Sequence, residues 1–118
     1  MPMGAQRRVV AVAEIHGISG RRDELVELLK RTEGQARAMP GSRRYQFAAR
    51  VAAPDEIVLI SEWDSEEAMA AYHRSEPFAS YQYELHGLLA RPSEMTIYSV
   101  TETVRPVASG PPDPRDVD

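Results

Sequence analysis

Apolar residues alternate with small or polar ones in four stretches of the chain, and this alternation predicts four β-strands over residues 8–16, 43–51, 56–63 and 94–103. After the first stretch the spacing of apolar residues changes to three or four, which predicts a helix. Ser19, in the Gly17–Gly20 turn, is the expected N-cap, and Pro40-Gly41 ends the helix after Met39. The apolar face of this helix is formed by Leu25, Leu28, Leu29, Thr32, Ala36 and Met39.

The second helical region is predicted to be broken in two. Asp64 and Glu67 have the spacing of a capping box, which starts a short helix that runs to about Arg74. Ser75-Glu76-Pro77 then predicts a restart, because proline is favoured in the first turn of a helix. The second piece is expected to end near Arg91-Pro92. Between the second and third strands, Ala53-Pro54-Asp55 is expected to form the hairpin turn.

The resulting element order is β-α-β-β-α-β, which predicts an α+β, ferredoxin-like fold with an antiparallel four-stranded sheet and helices on one face. The first and third strands are nevertheless apolar on both sides. Val10 and Val12 alternate with Val9 and Ile15 in the first strand, and the run 57–60 is wholly apolar. Strands that are apolar on both sides are usually covered on both sides. We therefore expect a homodimer in which two open sheet faces pack together.

Composition narrows the class of protein. The chain has 118 residues, a net charge of −4 and no cysteine, which excludes disulfides, thiolate nucleophiles and cysteine-ligated metals. Neither a basic stripe nor a leader or long apolar run is found, so we expect a cytoplasmic protein without nucleic-acid or membrane partners. Residues 8–104 are predicted to be the folded domain. Residues 1–7 are expected to be flexible, and the proline-rich segment 105–118 is expected to be disordered.

Several short motifs stand out in the chain: Ala13-Glu14-Ile15, Pro40-Gly41 before Tyr45, and the stretch 57–63 ending at Trp63, followed by Ser65, Ala68, Ser75 and Phe78. In these motifs the chain resembles the antibiotic biosynthesis monooxygenase (ABM) family of dimeric α/β barrels. The resemblance implies a dimeric α/β barrel. It also implies oxidation of a small phenolic, quinol or polyketide-like aromatic substrate by molecular oxygen, with no metal or organic cofactor. Similar proteins degrade haem, and others have no known activity.

The sequence departs from the family pattern at its histidines. Counted from Trp63, the family's helix histidine falls on Tyr72, and this chain has His73 one position later. A second family histidine corresponds to Pro77. In the haem-degrading branch the resemblance implies a tryptophan at Tyr72 and an iron-binding histidine at Gln82. Both are absent, so haem degradation ranks below the cofactor-independent reaction.

Cofactor-independent oxygenation needs a base that takes the substrate proton and a dry pocket with flat walls. His73 is the first candidate for the base and His16 the second, and no metal ligands are expected. Each histidine also has an ordinary structural interpretation, His73 as a solvent-facing helix residue and His16 as a residue that closes a strand. A non-catalytic barrel that binds a small hydrophobic molecule is therefore the alternative function. The candidates for substrate binding are aromatic: Trp63, Tyr72, Phe78, Tyr81 and Tyr45.

Small residues recur along one side of the strands, at Ala11, Ala13, Ala49, Ser61 and Ser99. If this side faces the helices, it leaves room for a cavity under the two short helices, and their junction at residues 75–77 could act as a lid. The alternative is plain close packing of the helices on the sheet.

Overall fold

The computed structural model describes residues 7–106. Its seven elements are β1 (Val9–Gly17), α1 (Arg22–Arg37), β2 (Ser42–Arg50), β3 (Ala53–Trp63), α2 (Glu66–His73), α3 (Glu76–His86) and β4 (Leu89–Ser99). The strands form one antiparallel sheet in the order β2-β3-β1-β4. This confirms the predicted ferredoxin-like α+β fold, including the broken second helix. The predictions for residues 1–6 and 107–118 lie outside the described residues.

The sheet has one face covered by helices and one open face. Odd-numbered residues of the two central strands, such as Ala11, Leu59 and Trp63, point to the helices and are buried. The even-numbered apolar residues, such as Val12 and Ile60, point away from them and are only half-buried. The recurring small residues lie on the helix-facing side, as a cavity would require. Both central strands are therefore apolar on both faces while helices cover only one.

The two outer edges of the sheet differ. At the β2 edge, Arg37 of α1 donates to the carbonyl oxygen of Tyr45 at 3.1 Å, and Glu33 accepts from the amide nitrogen of Phe47 at 2.9 Å. These contacts satisfy backbone groups that an edge strand normally leaves free. β4 forms the opposite edge, and all of its residues after Leu89 are exposed. Access from solvent to the covered face is therefore easiest along β4.

The hairpin turn was predicted in the wrong place. Residues 51 and 52 make the turn, Arg50 pairs with Ala53, and Val51 is fully exposed. Pro54 lies near the start of β3, where its missing amide hydrogen is tolerated. Its carbonyl oxygen accepts a hydrogen bond from Arg22.

β4 begins five residues earlier than predicted. The second piece of the broken helix ends at His86, not near Arg91-Pro92, and Leu89 already pairs with Gly17. The apolar residues Leu88 and Leu89 continue the helical spacing by coincidence. The amide nitrogen of Ile18 donates to the carbonyl oxygen of Leu88 at 2.9 Å, which draws this segment into the sheet.

Two predicted helix caps are also wrong. Ser65, not Asp64, caps α2, because its side-chain oxygen accepts from the amide nitrogen of Ala68 at 3.1 Å. Asp64 instead accepts a hydrogen bond from Arg43 at 2.9 Å. The N-cap of α1 is Arg21 rather than Ser19, and it makes no side-chain cap. The positive φ of Gly20 completes the turn between Ser19 and this helix.

Candidate functional site

A small, largely enclosed cavity lies between the covered face of the sheet and the joint of α2 and α3. Its volume is about 30 Å³, which is room for a water molecule or a diatomic gas but not for an aromatic ring. Four of the predicted site residues line it together: Tyr45, His73, Phe78 and Tyr81. The remaining wall is made by Ala13, Ile15, Leu59, Ser61, Gln82, Leu85, Ser93 and Met95.

The break between α2 and α3 fixes the two side chains that roof the cavity. The Ser75 hydroxyl donates to the carbonyl oxygen of Tyr72 at 2.6 Å and accepts from the amide nitrogen of Phe78 at 3.3 Å. One serine thus closes the first helix and caps the second. The ring of His73 consequently lies 4.6 Å from the ring of Phe78, centroid to centroid. The imidazole and an aromatic wall are held side by side.

Burial keeps the titratable groups of the cavity neutral at pH 7. Burial is the main cause that raises the pKa of both Tyr45 and Tyr81, and the neighbouring Tyr72 adds to it in each case. Burial lowers the pKa of the half-buried His73. The tyrosines therefore keep their protons and can donate hydrogen bonds, while the imidazole is free to accept a proton.

Trp63 and Tyr72 lie behind the cavity and do not line it. Both are fully buried, and their rings stack with centroids 5.3 Å apart. The Tyr72 hydroxyl lies 3.5 Å from that of Tyr45, and burial raises its pKa. Within the described part of the chain the indole nitrogen of Trp63 has no hydrogen-bond partner. This pair supports the wall that Tyr45 and Phe78 present to the cavity.

His16 lies away from the cavity, near one end of β1. Only 3% of its surface is exposed. Its Nδ1 is 2.5 Å from a carboxylate oxygen of Glu56 on β3, and its Nε2 is 3.3 Å from one of Glu94 on β4. Both ring nitrogens are thus engaged by carboxylates, and the structure does not bring His16 to the other predicted site residues.

The three exposed lining residues, Gln82, Ser93 and Met95, were not predicted as site residues. Ser93 was missed because β4 was predicted to start at position 94. Met95 and Ile97 alternate with polar residues, which was a usable signal for a face turned to the helices. Gln82 follows Tyr81 on α3 and is exposed, and its spacing alone does not distinguish it from a surface residue.

Open grooves also lie on the surface of the protein, away from these residues. A groove of about 250 Å³ lies between α1 and β2, with Arg22, Lys30 and Glu33 among its lining side chains. Among residues 7–106, no group of three or more histidine, aspartate or glutamate side chains is placed to hold a metal ion. In the same residues, no helix has the length and apolar character needed to cross a membrane.

Solved structures share this fold at low sequence identity. Rv0793 of Mycobacterium tuberculosis superposes with a TM-score of 0.77 at 23% identity and covers 83% of this chain and 99% of its own. A Deinococcus radiodurans protein, described as a candidate antibiotic biosynthesis monooxygenase, gives 0.80 at 17% identity, covering 85% and 99%. A conserved Bacteroides thetaiotaomicron protein of unknown function gives 0.75 at 16%, covering 81% and 100%.

No curated protein matches the chain by sequence. The sequence pattern of one family, antibiotic biosynthesis monooxygenase, matches residues 8–84, which is well over half of the chain. That span contains β1 to α2 and most of α3, and with them Tyr45, His73, Phe78 and Tyr81. The chain therefore belongs to the antibiotic biosynthesis monooxygenase family.

Proposed function

We propose that this protein is a cofactor-independent monooxygenase that oxidises a small phenol, quinol or polyketide-like aromatic compound with molecular oxygen. The observation that carries the proposal is the half-buried imidazole of His73 at a cavity wall, next to Phe78. Burial lowers its pKa, so the ring is neutral and ready to accept a proton at pH 7. Membership of the antibiotic biosynthesis monooxygenase family favours oxygen chemistry at such a site.

His73 would act as the general base. A phenol has a pKa of about 10 in water, so a nearby imidazole and a hydrogen-bond donor are needed to form the electron-rich anion. Tyr45 and Tyr81 keep their protons and would donate to that anion. For a substrate with an activated CH₂ group, the carbon loses two hydrogens and gains one oxygen atom of O₂ as a carbonyl. The second oxygen atom leaves as water, which balances the reaction.

A specific observation favours a second candidate function. The cavity of about 30 Å³ is far below the several hundred Å³ of typical ligand sites. Any ring-sized molecule must displace side chains to enter. An oxygenase must hold both a ring and O₂ in this space, whereas a barrel that only binds a small hydrophobic ligand needs room for the ligand alone. This non-catalytic function is the alternative.

We also propose that the protein is a homodimer formed through the open face of the sheet. Val10, Val12, Val58 and Ile60 form the apolar centre of that face and are only half-buried in the single chain. Tyr98 extends the same face on β4 and is 55% exposed. A second copy is the occupant that the symmetry of common oligomers favours. The cavity opens on the other side of the sheet, so such a dimer leaves it accessible.

Oxygen consumption tests the catalytic proposal. The protein is incubated anaerobically with a panel of quinols and anthrones, air is admitted, and oxygen uptake is followed. We expect uptake above the buffer rate, and a loss of at least about a hundredfold in His73→Asn. His86→Asn is the matched control, because His86 is exposed on α3. If oxygen uptake stays at the buffer rate for every compound, the monooxygenase proposal fails and the non-catalytic function remains. Unchanged turnover in His73→Asn would remove His73 as the base.

A further inference from the structure

The exposed lining residues of the cavity lie on one side of it. Most of the lining residues are buried or half-buried. The exposed ones are Gln82 on α3 and Ser93 and Met95 on β4. They lie where β4, the bare edge of the sheet, passes beside α3. The mouth of the cavity is therefore the seam between α3 and β4.

Met95 is the side chain at this mouth that can move most easily. It pairs with Ala13 across the β1–β4 ladder, on the helix-facing side, and it is 42% exposed. Ala13, its direct partner on β1, is small and buried, so this partner leaves the methionine room to move. Methionine is unbranched and has three rotatable bonds, which makes it adaptable in size and direction. Swinging it outward breaks no side-chain hydrogen bond.

The backbone beneath Met95 is anchored from the opposite face. Glu94 lies between Ser93 and Met95, and its carboxylate contacts Nε2 of His16 at 3.3 Å. His16 is in turn fixed by Glu56 on β3. The contact ties the strand at the mouth to β1 and β3 and favours opening by a side chain over opening by the strand. This gives His16 a positioning role that does not require it to touch a ligand.

We propose that Met95 is the gate that sets the size of ligand this cavity admits. A neutral planar phenol passes between α3 and β4 when the Met95 side chain swings out, and the His16–Glu94 contact keeps the strand in register meanwhile. The hydroxyl group of the ligand is received by the neutral polar groups inside, Tyr45, Tyr81 and His73. The site is the one used in the proposed function, but the gate requires only binding and no turnover.

Ligand binding under anaerobic conditions tests the gate. Phenol and 2-naphthol are titrated into full-length protein carrying ¹³C-methyl methionine, and the methyl signals are followed by NMR. Phenol should shift the Met95 signal, assigned with Met95→Leu, and leave that of Met69, which is buried in the core behind the cavity. Met95→Ala should bind 2-naphthol at least about tenfold tighter than the unchanged protein does, whereas Met95→Trp should weaken both ligands by a similar factor.

Several outcomes would overturn the gate: no binding of phenol, a shift at Met69 without one at Met95, or equal affinities in the Ala and Trp variants. Met95 is partly exposed, so these variants should fold, and circular dichroism checks this. The role of the His16–Glu94 contact has its own test. Glu94→Gln should speed amide hydrogen exchange at residues 93–95, and unchanged exchange would show that the contact does not hold the strand. If phenols bind with the expected size limit but consume no oxygen, the gate stands and the monooxygenase proposal fails. If the Met95 variants consume oxygen at the same rate as the unchanged protein, the monooxygenase proposal stands and the gate fails.

Discussion

Similar residues are buried to different extents on the two faces of the sheet. On β3, Leu59 and Trp63 point to the helices and are buried, while Val58 and Ile60 alternate with them and remain half-exposed on the open face. The histidines differ in the same way. His73, at the helix joint, faces a cavity without carboxylates in its lining, whereas His16 is engaged by two carboxylates.

This difference teaches that hydrophobicity alone does not identify a site. The open face is as apolar in its centre as the covered one, but no helix lies over it to enclose a cavity. The covered face is broken by small residues such as Ala13 and Ser61, and helices bridge the gap above them. A cavity with an imidazole in its wall arises only where both features meet. The open face is therefore the candidate for a partner chain and the covered face the candidate for a ligand.

The largest expected effect comes from truncating neighbours on opposite faces of β3. Leu59→Ala should lower the free energy of unfolding by about 2–5 kcal/mol, because it leaves a cavity in a packed core. Ile60→Ala should cost clearly less when measured on monomeric protein, since helices do not cover that residue. Urea unfolding followed by circular dichroism measures both. Equal costs would show that the two faces are equally covered within a single chain.

A charge on the open face should break the proposed dimer. Val12→Lys would place an unpaired ammonium group in an apolar interface and should weaken association by at least about a hundredfold, or roughly 3 kcal/mol. Light scattering over a range of concentrations measures the mass. Tyr83→Lys is the control, because Tyr83 is a similarly large side chain that is 84% exposed on α3. If the unchanged protein already has the mass of one chain, the dimer proposal fails.

The smallest effect concerns the pH dependence of His73. Burial lowers its pKa below the ordinary value of about 6.5, so the unfolded chain binds more protons than the folded one below that pH. Its contribution to stability is complete above about pH 6.5 and is lost as the pH falls through the folded value. His73→Asn should therefore lose less stability than the unchanged protein between pH 7 and pH 5. If both proteins lose the same stability over this pH range, the His73 side chain is exposed to solvent and burial does not lower its pKa.

The fold was largely predictable because its signals are local. Strand alternation, the Pro40-Gly41 stop and the Ser75–Pro77 restart each act within a few residues, and the element order follows from them. The errors arose where a long-range contact decided between local alternatives. Leu88 and Leu89 fit a helical face, but pairing with Gly17 and Ile18 draws them into the sheet. Asp64 fits a capping box, but Arg43 engages it and Ser65 becomes the cap.

The candidate site was only partly predictable, for the same reason. Aromatic residues near Trp63 were identified as a group, yet the tertiary structure separates them. Tyr45, Phe78 and Tyr81 reach the cavity, while Trp63 and Tyr72 stack behind it. Met95 comes from a strand far along the chain, and no local pattern links it to His73.

The sequence by itself determined the order of strands and helices, the sheet with one uncovered apolar face and the family resemblance, because periodicity and turn chemistry are properties of short segments. Tertiary structure alone decided which histidine faces a cavity, how small that cavity is and where it opens. Those outcomes depend on the packing of strands and helices that are distant in sequence. Burial, which gives His73 its lowered pKa, exists only once these elements have come together.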